Sequence, residues 1–182
     1  MSEPTWVKSR ADEIKAIMAR YPKPSSAIMP LLHLAQEERG WIADEDIEAI
    51  ARIMGTTPAR VESVCSFYSL FYRTPKGKYV ITICGNIQCG LSGAEELTRH
   101  FEERLGIKVG ETTPDGLISL LVTGECIAAC DGAPAVQVNL EYCGRVTKER
   151  ADEIIAAIRA GEDPRAISDR FGIPPVKAVD RG

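Results

Sequence analysis

Two kinds of hydrophobic pattern divide the chain. Up to about residue 74 the apolar positions recur at helical spacing. Ile14, Ile17, Met18 and Tyr21 fall at i, i+3, i+4 and i+7, on one helical face. Pro22 and Pro24 interrupt that helix. Ser26 offers a cap for a second helix, with Pro30 in its first turn, Ile28, Leu31, Leu32 and Ala35 on its buried face, and Gly40 at its end. A third is predicted from Asp44 through Ile47, Ile50, Ala51 and Met54 to Gly55. Thr57-Pro58, a cap with proline at the first helical position, starts a fourth that buries Val61, Val64, Cys65 and Tyr68.

Beyond Pro75-Lys76-Gly77 the period changes. Residues 79–84 (YVITIC) form a mostly apolar, β-branched run, the pattern of a strand buried on both faces. Ser92 and Glu95 suit a capping box for a helix with Ala94, Leu97, Phe101 and Leu105 inward. Residues 117–122 (LISLLV) predict a second strand. Val136 and Val138 alternate with polar residues, and residues 142–146 can pair back on them as a hairpin. Thr147 caps a last helix with Ala151, Ile154, Ile155 and Ile158, ended by Gly161.

The order after residue 77 is therefore β-α-β-β-β-α. A helix crosses between the first two strands, so they should be parallel. The sequence predicts an α/β (α+β) chain: an N-terminal helical bundle over 1–74, a thioredoxin-like domain with a mixed four-stranded sheet over 75–161, and an extended tail over 162–182.

Composition changes this picture little. A chain of 182 residues with 45% apolar and 26% charged residues can bury a core without covalent staples. A net charge of -4 gives no basic surface for nucleic acid or anionic membrane. The N-terminal MSEPTWVKSR has neither an apolar signal core nor an arginine-rich leader. No apolar run approaches the roughly 20 residues that span a bilayer, so direct membrane insertion is not expected. These features suggest a cytoplasmic protein, where clustered cysteines more often bind metal or do redox work than form disulfides.

Four cysteines carry the chemistry. Cys84 ends the first strand and Cys89 precedes the next helix. Cys126 follows the second strand and Cys130 lies in the loop beyond. Parallel strands end on one edge of a sheet, so both pairs should converge there, in loops that carry Gly85, Gly90, Gly124 and Gly132. A thioredoxin-type dithiol requires C-x-x-C, which is absent. Four thiolates suit tetrahedral zinc, although zinc pairs are usually more tightly spaced. The wider C-x4-C and C-x3-C loops suit a two-iron, two-sulfur cluster with two thiolates on each iron. His33 and His100 sit inside predicted helices and are not expected to be ligands. Neither is Cys65, on an apolar helix face, nor Cys143, in the hairpin.

The same residues resemble a known family from about Ile14 to Gly161. The segments that carry the resemblance are 21–42 (YPKPSSAIMPLLHLAQEERGWI), 55–71 (GTTPARVESVCSFYSLF), 76–97 (KGKYVITICGNIQCGLSGAEEL) and 124–139 (GECIAACDGAPAVQVN). They resemble the thioredoxin-like [2Fe–2S] ferredoxins that serve as the small ferredoxin component of NADH–quinone oxidoreductase (complex I). The resemblance implies a [2Fe–2S] cluster on Cys84, Cys89, Cys126 and Cys130. It implies single-electron exchange with FMN, and it places FMN and NADH on a partner flavoprotein subunit. It further implies a peripheral position on the cytoplasmic side of the inner membrane, within a respiratory complex. The same module occurs in NAD-dependent hydrogenases and formate dehydrogenases. A zinc-stabilised structural adaptor is the alternative of a different class.

Two further expectations concern tuning and docking. Glu125 and Asp131 adjoin ligand positions, and negative charge there disfavours adding an electron. The stretch 67–72 (FYSLFY) holds four of the eleven aromatic residues, suiting either internal packing or a partner surface. No G-x-G-x-x-G or P-loop is present, so nicotinamide and flavin must bind elsewhere, and this chain alone should not oxidise NADH.

Overall fold

The computed structural model describes residues 4–172. The chain divides into two units, Met1–Lys76 and Gly77–Gly182. The first is helical: α1 (Thr5–Ser9), α2 (Ala11–Ala19), α3 (Ile28–Arg39), α4 (Asp44–Met54) and α5 (Pro58–Phe67). Thr57 caps α5 as predicted, its hydroxyl accepting from the Arg60 N–H, with Pro58 in the first turn.

Ser26 does not cap α3. Proline fixes φ, and Pro24 begins a 3-10 turn over Pro24–Ala27 that runs directly into α3, so the chain is already helical at Ser26. The short α1 lies ahead of the predicted helices. It brings Trp6 into a core with Leu31, Leu32, Ile42, Ile50 and Val61. There the Trp6 Nε1–H donates to Asp46 Oδ1 at 2.8 Å, and the Ala43 N–H donates to Asp46 Oδ2 at 2.9 Å. Asp46 is fully buried, so its two acceptor bonds are what make its burial tolerable.

The second unit contains a four-stranded sheet in the order β2-β1-β3-β4: β1 (Tyr79–Cys84), β2 (Ile118–Thr123), β3 (Val136–Val138) and β4 (Glu141–Cys143). β1 and β2 are parallel, with Cys84 opposite Thr123. β3 runs antiparallel to β1, and β4 antiparallel to β3. Between β1 and β2 come the short α6 (Ile87–Leu91) and α7 (Ala94–Leu105). Ser92 and Glu95 do not form the capping box. The Ser92 N–H is used to close α6, and Gly93, at φ 96°, leads into α7 instead. Ile81, Ile83 and Leu120 from the sheet pack with Phe101 of α7 and with Ile154 and Ile158 of α8 (Lys148–Arg159) in one apolar core.

The expectation of an extended tail fails over Pro164–Phe171, which form α9. Asp163 accepts from the Arg165 N–H, Pro164 opens the helix, and Ile167 and Phe171 are buried. The Ser168 hydroxyl donates to the Tyr142 carbonyl at 2.8 Å, and the Gly144 N–H donates to the Phe171 carbonyl at 2.8 Å. The strand edge at β4 thus supplies partners that the sequence pattern does not reveal. The rest of the tail expectation lies outside the described residues. Among the described residues, no helix is long and apolar enough to cross a membrane.

Candidate metal-cluster site

The parallel pairing of β1 and β2 brings both cysteine loops to one rim of the sheet. Cys84 is the last residue of β1, its N–H donating to the Ala135 carbonyl at 3.1 Å. Cys89 lies within α6, and both of these thiols are buried. Cys126 and Cys130 come from the loop after β2 and are exposed. The rim is therefore two-sided, with one thiol pair against the core and the other toward solvent.

Cys126 Sγ and Cys130 Sγ are 3.6 Å apart. Two thiolates on one tetrahedral metal, each about 2.3 Å from it, lie about 3.8 Å apart, so this pair has the spacing of ligands to a single centre. Among the described residues, no set of three or more His, Cys, Asp or Glu side chains is placed to hold one metal ion.

Electrostatics distinguish the buried pair. Desolvation pushes the Cys84 thiol up. The backbone N–H groups of Ile127 and Asn86, with the Cys89 and Cys126 thiols, outweigh it and hold Cys84 below the ordinary thiol range. Burial raises Cys89, and its hydrogen bond with Cys84 raises it further, against a lowering contribution from the Ala135 N–H. Cys130 is raised chiefly by its contact with Cys126. The Ala128 N–H points at Cys126 Sγ, 3.4 Å away, which the backbone achieves at a positive φ of 60°. Backbone N–H donors therefore reach both cysteine loops, and such donors stabilise anionic sulfur.

The glycines at this rim serve different ends. A Cβ on Gly85 would meet Val122 Cγ1 at 3.0 Å and the Thr123 carbonyl oxygen at 3.2 Å, so Gly85 lets the β1 end close on β2. A Cβ on Gly124 would meet nothing within 4 Å.

The remaining candidates lie in other surroundings. His33 packs edge-on against Phe71, ring centroids 4.9 Å apart, and His100 Nε2 faces Asp152 Oδ1 at 2.9 Å. Cys65 and Cys143 are buried in apolar cores, and burial pushes both thiols up to about 11. At pH 8 such a thiol is thiolate in only about one molecule in a thousand. Mass-mapped alkylation of the native, cluster-free protein at pH 8 should therefore label Cys126 and Cys130 first and leave Cys65 and Cys143 unmodified. Early modification of Cys143 would contradict the burial argument.

These features agree with comparison to known proteins. The model of the thioredoxin-like [2Fe-2S] ferredoxin family matches residues 14–159. The chain belongs to that family. A [2Fe–2S] cluster is thus its cofactor, and four cysteine thiols are the donor chemistry such a cluster takes. A Thermus thermophilus protein named NADH-quinone oxidoreductase subunit 2 is 46% identical over 156 residues, covering 84% of this chain and 86% of its own length. A second NADH-quinone oxidoreductase subunit, from Rhizobium meliloti, is 42% identical over 163 residues, covering 90% and 96%. Among solved structures, the NAD+-reducing [NiFe]-hydrogenase in its air-oxidized state is similar in fold. Its TM-score is 0.67 at 22% identity over 79% of this ferredoxin, which spans 25% of the hydrogenase chain.

Proposed function

We propose that this ferredoxin is the electron-transfer subunit of an NADH–quinone oxidoreductase, with Cys84, Cys89, Cys126 and Cys130 holding the cluster. The observation that carries this is the convergence of two cysteine loops at the rim where β1 and β2 end, two thiols buried and two exposed. The similarity to proteins named as NADH-quinone oxidoreductase subunits over most of their length supports the assembly.

A [2Fe–2S] cluster supplies one-electron chemistry by a change of iron valence. The protein's residues do the rest. Cys84 and Cys89 anchor the site to the core. Cys126 and Cys130 form its solvent-facing side, through which electrons pass to and from the FMN of a partner NADH-binding subunit. The Ile127, Asn86 and Ala128 N–H groups offset negative charge on sulfur. Ile87 and Leu91 on α6, 76% and 83% exposed, border the site and offer an apolar docking face for that partner. Phe67, 74% exposed, offers a second contact in the helical unit, whereas Phe71 is used in that unit's own core. In this proposal the chain is a non-catalytic carrier, peripheral on the cytoplasmic side through its complex.

The test is iron, zinc and acid-labile sulfide per chain in anaerobically purified protein, with EPR before and after dithionite. Two irons and two sulfides, silent when oxidised and giving a spin-one-half signal on reduction, are the expected result. One zinc and no sulfide would instead indicate a structural adaptor. Co-purification with a quinone-reducing flavoprotein complex, rather than with a hydrogenase or formate dehydrogenase, tests the assembly.

Charge next to the ligands gives a smaller prediction. Glu125 and Asp131 are both exposed, so solvent screens them. Asp131→Asn should still raise the reduction potential, because it removes a negative charge one residue from Cys130. The shift should be small and should shrink as salt is added. A fall in a potentiometric titration would contradict it.

A further inference from the structure

The regular ladder between β1 and β2 ends at the pair Cys84–Thr123, and one backbone bond follows it, from the Gly85 N–H to the Thr123 carbonyl at 2.8 Å. The next rung is made by a side chain. Asn86 Nδ2 donates to the Gly124 carbonyl at 2.8 Å. The same amide's Oδ1 accepts from the Ile87 N–H at 2.9 Å, which opens α6. Both bonds use the amide in one orientation, since exchanging its oxygen and nitrogen would lose both.

Asn86 lies two residues after Cys84 and three before Cys89, and Gly124 lies two before Cys126. We infer that Asn86 is a positioning residue. By carrying the sheet's hydrogen-bond ladder past the strand ends, its amide ties the Cys84–Cys89 loop to the Cys126–Cys130 loop and fixes their separation. Backbone alone does not do this, because beyond Gly85 the Asn86 N–H faces the Cys84 thiol, the Ile87 N–H is taken by the Asn86 amide, and the chain then turns into α6. Asn86 does two jobs that other side chains separate. An oxygen acceptor suffices to start α6, whereas only a donor of this reach spans to Gly124. This inference rests on the four cysteines being the cluster ligands, but the tie itself exists between loops of this chain and can be measured without a cluster.

Asn86→Thr and Asn86→Ala separate the two jobs. Threonine keeps an oxygen that can cap α6 but is too short to reach Gly124, and alanine loses both functions. Two readouts are needed beside a melting curve. The first is hydrogen exchange of the Gly85 amide in cluster-free protein. The second, on holoprotein, is the rate of iron loss to a chelator, with the width of the reduced EPR signal. The expected result is that both variants exchange Gly85 and lose iron roughly three- to tenfold faster than wild type, the range for one net hydrogen bond. The EPR line should broaden in both, and Asn86→Thr should melt close to wild type. If Asn86→Thr matches wild type in exchange, iron loss and line width, the tie between loops is overturned and Asn86 is only a helix cap. If wild type holds no cluster, the ligand assignment has failed, and the exchange experiment alone decides the tie.

Discussion

Cys84→Ala is expected to leave the protein without its cluster, with iron and acid-labile sulfide falling to background while the chain still folds. Of the four proposed ligands, Cys84 has the least freedom of replacement. It sits at the end of β1, is 1% exposed, and is held by its own N–H to Ala135 and by donors from both loops. Pairing on either side fixes the backbone there, with Cys84 opposite Thr123 and its N–H bonded to Ala135, so the chain cannot shift to bring a substitute ligand to that buried position. A thiolate metal site of the zinc type contributes on the order of 10 kcal/mol of binding, so losing one of four fixed ligands removes most occupancy. Cys126→Ser should be milder, since the exposed loop can present an oxygen ligand and adjust around it. Cys143→Ala is the control. It also removes a fully buried sulfur, at a cost of about 1 kcal/mol of packing, yet should retain full iron and sulfide. Loss of the cluster in Cys143→Ala, with retention in Cys84→Ala, would overturn the ligand assignment.

Asp46→Ala should be the most damaging single change in the helical unit, at about 3 kcal/mol. The Asp46 carboxyl is fully buried and accepts from the Trp6 indole and the Ala43 N–H, with Arg39 Nη2 3.5 Å from Oδ1. Alanine leaves the buried Trp6 indole N–H and the half-buried Ala43 N–H without partners and opens a void. It also removes the link between α1 and α4. Trp6→Phe should cost less, since it keeps most of the ring volume and gives up one donor. Both tryptophans, Trp6 and Trp41, lie in this unit, so urea unfolding followed by tryptophan fluorescence reports on it selectively. An Asp46→Ala midpoint close to wild type would show that α1 is dispensable.

Neither Asp46 nor Trp6 stands out in the sequence. Asp46 reads as one of three acidic residues in the first turn of a helix, where acids are common for dipole reasons. Trp6 lies in a stretch too short to show periodicity. Their bond joins residues 40 apart in the chain, and only packing brings them together. Asn86 is similar. The sequence places it just after a strand, a position that suits a cap, but its bond to Gly124 spans 38 residues.

Helix α9 marks a different boundary. Asp163-Pro164 carries the same cap-and-proline signal as Thr57-Pro58, and Ile167 and Phe171 are four apart, so the helix is legible locally. Two proline sites and weak periodicity in the longer tail obscure it, because an isolated eight-residue helix is marginal in water. It exists by packing on β4 and α8.

Local rules suffice for the order of α2–α5, the four strands, α7 and α8, and for the edge where the cysteines meet. Period 3.6 before residue 75 and β-branched runs after it define the helices and strands. The crossover between β1 and β2 requires that they be parallel, and this in turn requires that Cys84 and Cys126 emerge at one edge. Folding in three dimensions settles the rest: which thiols are buried, which backbone donors face them and which distant side chains complete the polar pairings of Trp6 and Gly124. Those depend on contacts between residues far apart in the chain, and the pattern along one strand or helix carries no information about the surface that it will meet.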